Sequence, residues 1–155
     1  IKQDALAELE KLQLDQSDIP HALIMFEEHW HQGVIGIVAG RLKEQFHRPA
    51  IVFAADEDGE HIKGSARSIE GIHIRDTIEL VAEQYPHLVS HFGGHAAAAG
   101  LTIKKAHFAE FKQVFEQIIA QMDADLFQAV LWTDGELPQE AFALHTVDLL
   151  QHLAP

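Results

Sequence analysis

The chain has no cysteine. Disulfide staples and thiolate metal sites are therefore excluded, which fits a cytoplasmic protein. No apolar run approaches the ~18 residues of a membrane span, so no membrane partner is expected. Basic side chains are scarce: 11 Lys and Arg stand against 24 Asp and Glu, a net charge of −13. That balance argues against a general nucleic-acid-coating surface, because phosphate binding depends on Lys and Arg. Neither a Walker P-loop nor a dinucleotide fingerprint is present. There is no cluster of aspartates and histidines fit to hold two divalent ions, no convincing Ser-His-Asp order and no carboxylate pair beside a glycine turn. The 12 histidines are scattered. His29 and His31 would share one face of a strand, but no third ligand follows at a metal-site spacing, so no metal is expected within this chain.

What is present is a core-forming sequence, 47% hydrophobic over 155 residues, enough for one domain with an appendage. The first residues, Ile1-Lys2-Gln3-Asp4, resemble no signal peptide and read as a cut inside a longer protein. The acidic residues concentrate at 4–18, 56–60 and 110–140. Arg41, Lys43, Arg48, Lys63, Arg67 and Arg75 lie in the middle third. A local basic site on an acidic body is the expectation.

Apolar spacing predicts a helix over 4–14, a strand at His21–Phe26 and a polar loop at Glu27–Gln32. A helix then starts at Gly33, with Val34, Val38, Leu42 and Phe46 on its buried face, and ends before Pro49. A buried strand at Ala50–Ala54 completes a βαβ unit, expected parallel and right-handed. Asp56-Glu57-Asp58-Gly59 signals a turn into a hairpin strand, His61–Ser68. Further helices are predicted over Arg75–Tyr85 and Ala106–Met122, with a short strand, Gly100–Ile103, between them. The core is expected to end near residue 123. Beyond it, Ala129–Trp132 reads as a strand, Thr133–Gly135 as a turn and Thr146–Leu153 as a helix, with Leu137, Phe142, Leu144, Leu149 and Leu150 seeking burial.

Three segments carry candidate chemistry. Gly93-Gly94-His95-Ala96-Ala97-Ala98-Ala99-Gly100 combines permissive backbone, a protonatable ring and almost no bulk. It fits a phosphate-cradling nest, but taken alone it fits better a tight turn before a buried alanine-rich segment. In Lys63-Gly64-Ser65-Ala66-Arg67-Ser68 an extended backbone puts Lys63, Ser65 and Arg67 on one face. There a guanidinium, an ammonium and a hydroxyl could grip a phosphate, or simply form a solvated strand face. Trp30-His31-Gln32-Gly33 lies between the carboxyl end of a strand and a helix N-terminus, the edge where α/β sheets bind ligands. Trp30 there is either core or a platform for a base. Gly36 and Gly40 read as packing residues.

Together and in this order, the run Trp30–Ala39, the strand Gly64–Ser68 and the turn Gly93-Gly94-His95 resemble the DHH-associated domain of the DHH phosphoesterase superfamily. The first two are most similar to the RecJ family of 5′→3′ single-strand-specific DNA exonucleases. The resemblance covers about residues 20–123. It implies an α/β fold with a mixed sheet flanked by helices. Residues 1–19 would then be the end of an interdomain helix, and 124–155 the lead-in to a mostly absent OB-fold. In that family manganese or magnesium is held by the DHH domain, which is not in this chain. The chain is therefore expected to clamp single-stranded DNA, without nuclease activity of its own and with no cofactor. Its protein partners would be the DHH and OB-fold domains of the same protein. The resemblance makes Ser65, Arg67 and the adjoining Ser68 and Lys63 substrate-binding, plausibly at a 5′ end. Gly93, Gly94 and His95 would face the scissile phosphate, with Trp30 and His31 beside the cleft. The alternatives are a superfamily phosphodiesterase of small nucleotides or short oligonucleotides, and a non-catalytic interaction module.

Overall fold

The computed structural model describes residues 19–133 and 135–153; the helix expected over 4–14 lies outside them. Strand β1 (Leu23–Phe26) leads into helix α1 (Gln32–Phe46), then β2 (Ala50–Ala55) and β3 (His61–Arg67). Helix α2 (Ile74–Gln84), strands β4 (His91–Gly94) and β5 (Ala98–Lys104), and helix α3 (Phe108–Ala120) follow, with α4 (Leu144–Leu153) near the end. The five strands form one mixed sheet in the order β1-β2-β3-β5-β4. Only β1 and β2 run parallel, as a βαβ crossover requires; the other neighbours are antiparallel.

Local chemistry sets the ends of α1. His31 is extended, and its ring Nδ1 accepts the Gly33 N–H at 3.0 Å, closing one of the open donors of the first turn. At the other end His47 adopts a left-handed conformation (φ 49°), and Pro49 follows, so the helix cannot continue. The buried face is Ile35, Val38, Ala39 and Leu42. It is shifted from the expected stripe, with Val34 and Phe46 at its partly exposed margins.

The sheet has two unequal faces. Ile51, Phe53, Ile62, Ala66, Leu101 and Ile103 point to one side, where α2 and α3 cover them. Edge-to-face contacts join Phe53 to Phe111 and Phe108, each with 5.7 Å between ring centroids. The other side is covered only in part. There α1 packs on Leu23, Ala50, Val52 and Ala54 of β1 and β2, with Met25 and Trp30 at the margin.

Three expectations need correction at the C-terminal end. The core does not stop near 123: Phe127 is buried, Leu126 packs over Gly71, and Arg48 donates to the Phe127 carbonyl at 2.7 Å while lying over its ring. Beyond this point Ala129–Trp132 forms no strand. Leu137, Phe142, Leu144, Leu149 and Leu150 are exposed rather than buried, because no second layer among the described residues covers them.

Candidate nucleic-acid interface

The register of the sheet assembles the site. In antiparallel pairs, residues directly opposite each other share a face. Ser65 sits opposite Gly100, and Gly100 opposite Gly93; Arg67 sits opposite Ala98, and Lys63 opposite Thr102. Ser65, Arg67 and Lys63 therefore lie together on the α1 side of the sheet, Ser65 and Arg67 partly covered against Gly36 of α1 and Lys63 exposed. The alternate residues Gly64 and Ala66 face the core. A Cβ on Gly64 would come within 2.6 Å of Phe53 Cε1 and 2.7 Å of Leu101 Cδ2. That glycine is demanded by packing.

Arg67 and Ser65 form a pair. The Arg67 Nη1 donates to Ser65 Oγ at 3.1 Å and to the Ala66 carbonyl at 2.9 Å. Among the described residues no carboxylate lies within ion-pair distance of Arg67. Its guanidinium is thus held in place while its charge stays uncompensated nearby, an arrangement suited to an anion. Gly36 on α1 makes this possible: a Cβ there would meet Arg67 Nη2 and Ser65 Oγ, each at 3.2 Å. Gly40, one turn on, has nothing within 4 Å of a Cβ. It is not the packing residue expected from the sequence.

Lys63 shares the face but is drawn off it. Its Nζ lies 2.9 Å from Asp56 Oδ1, and Gln32 Nε2 donates to the same oxygen at 3.2 Å. The Lys63 hydrogen bond, reinforced by the Glu57 N–H, holds the Asp56 carboxyl below the ordinary carboxylate range. These groups line a cleft of about 480 Å³ with Trp30 and His31. Trp30 is half-buried against the α1-side core and also borders the cleft. His31 caps α1, and His29 stands exposed in a loop rather than on a strand. Ser68 is elsewhere: it is buried, with its Oγ unpartnered, and its N–H donates to the Ala97 carbonyl at 2.9 Å.

The glycine turn is a β-hairpin, which the sequence reading did not foresee. Gly93 and Gly94 end β4, and Ala98-Ala99-Gly100 begin β5. His95 donates its N–H to the Ala98 carbonyl at 2.8 Å, closing the turn. The Ala96 carbonyl accepts from Ile74 at the start of α2. Of the four alanines only Ala99 is buried, so the buried-alanine alternative fails. Gly94 has φ 146°, and a Cβ there would come within 2.5 Å of the Ala98 carbonyl oxygen. A Cβ on Gly93 would meet nothing within 4 Å. Gly94 thus serves the turn, and Gly93 presents bare backbone on the Ser65 side. His95 is exposed at the tip, away from Trp30 and His31 in the other loop. The residues not foreseen are Asp56, which engages Lys63, Gln32, which donates to Asp56, and the alternate residues Thr102 and Lys104. Their parity becomes visible once β5 begins at Ala98.

The chain is an α/β module whose mixed sheet has one partly open face, with an arginine and a serine paired beside a glycine hairpin. The chain belongs to the DHHA1 domain family, whose model matches residues 20–121. Within that family its resemblance is to RecJ. The single-stranded-DNA-specific exonuclease RecJ of Haemophilus influenzae is 48% identical over 135 residues, covering 86% of this chain and 23% of the relative. The Escherichia coli protein of the same name is 41% identical over 153 residues, 98% of this chain and 26% of the relative. The chain thus spans about a quarter of the length of the curated relatives it matches. The crystal structure of RecJ in complex with Mn2+ from Thermus thermophilus superposes with a TM-score of 0.63 at 33% identity, over 79% of this chain and 17% of that one. Related structures hold Mg2+ or Mn2+. Among the described residues of this chain, no group of three His, Asp or Glu side chains could hold such an ion. The C-Ala domain of Aquifex aeolicus alanyl-tRNA synthetase shares the fold, with a TM-score of 0.51 at 18% identity.

Proposed function

We infer that this chain is the single-stranded-DNA phosphate-clamping domain of a RecJ-type 5′→3′ exonuclease, a cytoplasmic enzyme of DNA repair and recombination. The observation that carries the reading is the Arg67–Ser65 pair, tethered by a 3.1 Å hydrogen bond on a glycine-bordered face with no described carboxylate neighbour. A guanidinium so placed offers two donors to a phosphate, and the serine hydroxyl offers a third. Such contacts position a strand without reading its sequence. Gly93 lets the strand approach the backbone of the neighbouring hairpin. His95, at the exposed tip, faces toward the scissile phosphate, and Trp30 with His31 borders the path.

In the whole enzyme a divalent ion, Mn2+ or Mg2+, would polarise the phosphodiester and supply the attacking hydroxide. Its ligands would belong to the DHH domain of the whole enzyme, and residues 124–155 would lead into an OB-fold. The chain alone binds and does not cut. The test is fluorescence anisotropy of a labelled single strand at low salt. Binding by the native chain and at least a tenfold loss in Arg67→Ala support the clamp. Equal binding by the two refutes it.

A further inference from the structure

The uncovered half of the sheet is longer than the Arg67–Ser65 pair requires. Beyond Gly100, the alternate residues Thr102 and Lys104 of β5 continue along the same face, with His91 of β4 opposite Thr102. From Ala98 to Lys104 the strand covers about 20 Å at the usual rise. In a chain of net charge −13, strands β3, β4 and β5 place no acidic side chain on this face. Lys104 is exposed and, among the described residues, has no carboxylate within ion-pair distance; Glu60 borders it in a shallow cleft. Lys63, nearer to Arg67, is neutralised by Asp56. Between the two free cations lie Gly100 and Gly93. A Cβ on Gly93 would touch nothing within 4 Å, and the nearest atom to one on Gly100 is the Gly64 carbonyl oxygen at 3.9 Å. Packing among the described residues does not explain these two glycines.

We propose that a single nucleic-acid strand lies lengthwise along β5, with Lys104 and the Thr102 hydroxyl holding a second phosphate several nucleotides from the one at Arg67. The occupant follows from charge: Arg67 and Lys104, neither with an ion-pair partner among the described residues, stand at the two ends of a face whose strands β3, β4 and β5 carry no acidic side chain, and the separation suits a polyanion rather than a single anion. The proposal rests on the reading that Arg67 and Ser65 take phosphate, and it extends that site from an end pocket to a track.

Salt titrations of two 5′-phosphorylated probes test it: a thymidine dinucleotide and an oligothymidylate long enough to span the face. For Lys104→Ala we expect weaker binding of the long strand and a log K against log [salt] slope shallower by about 0.7, the loss of one single-strand phosphate contact. Its dinucleotide binding should equal that of the native chain, whereas Arg67→Ala weakens both probes. Lys112→Ala, an equal charge change on the exposed side of α3, should leave the slope unaltered. If Lys104→Ala matches the native chain on the long strand while Arg67→Ala still weakens it, the track is wrong and the clamp stands. If Lys112→Ala acts as strongly as Lys104→Ala, the effect is general charge and the track is again refuted. If neither Arg67→Ala nor Lys104→Ala matters, or the native chain binds no strand at low salt, both readings fall.

Discussion

Gly36 on α1 and Arg67 on β3 are coupled through missing bulk: a Cβ on Gly36 would press against the Arg67 guanidinium at 3.2 Å. The helix glycine therefore governs where the arginine's charge lies. Gly36→Ala should displace Arg67 and Ser65 while costing no more than about 1 kcal/mol of stability, because the atoms in the way are the ends of side chains that can yield. Anisotropy should show single-strand binding falling toward that of Arg67→Ala. Unchanged binding would mean that the helix does not position the guanidinium.

Two adjacent glycines should behave in opposite ways. Gly94→Ala meets backbone atoms at 2.5 Å and requires an unfavourable φ of 146°, so denaturant melts should show a loss of about 1–3 kcal/mol. Gly93→Ala meets nothing, and its stability should stay within about 0.5 kcal/mol of the native chain. If a strand crosses this backbone, Gly93→Ala still weakens binding. A Gly93→Ala chain that binds normally would remove the hairpin from the interface.

Asp58 gives the β2–β3 hairpin an acid limit. Its carboxylate accepts from the backbone N–H groups of His61 and Glu60 and lies 2.7 Å from the His61 ring, which lowers its pKa to about 2. A carboxyl held below its ordinary range contributes stability that is complete at neutral pH and is lost as pH falls from about 4 through 2. Carbon-detected NMR titration should give that low midpoint, and Asp58→Asn should flatten the stability profile across the same window. A midpoint near 4 would contradict the hydrogen-bonded geometry.

The sequence revealed those elements whose local signals agree with their packing. The run Ala50–Ala55 is apolar at every position and is buried in the sheet, and the Asp-Gly turn before His61 fixes the hairpin register. Capping by His31 starts α1 one residue before the expected Gly33, and the left-handed turn at His47 ends it at Phe46, ahead of Pro49. Strand β4 was illegible because His91-Phe92-Gly93-Gly94 carries two weak strand formers; pairing with β5 makes it a strand, not propensity. The start of β5 was hidden in the same way by three small residues. At the site, the Lys63-Ser65-Arg67 parity was readable, since alternation is a property of any strand. The diversion of Lys63 to Asp56 was not, because it depends on how the turn folds back. Ser68 falls on the opposite parity, with Gly64 and Ala66, so the same alternation that joins Ser65 to Arg67 places it with the buried residues.

Arg48 fastens the segment after α3 to the domain, through its hydrogen bond to the Phe127 carbonyl and its contact with the ring. Arg48→Ala removes a charged donor from a part-buried carbonyl and should cost about 1.5–3 kcal/mol. Hydrogen exchange should rise around 124–127 before it rises in the sheet. A uniform rise across the molecule would contradict a local latch.

The most direct measurement titrates the chain with two otherwise identical single strands, one bearing a 5′-phosphate and one a 5′-hydroxyl, at low salt and again with Arg67→Ala. Tighter binding of the phosphorylated strand, with the difference abolished in Arg67→Ala, is the predicted result and locates a 5′ phosphate at Arg67 and Ser65. If neither strand binds, or Arg67→Ala binds both as the native chain does, this face is not a phosphate clamp.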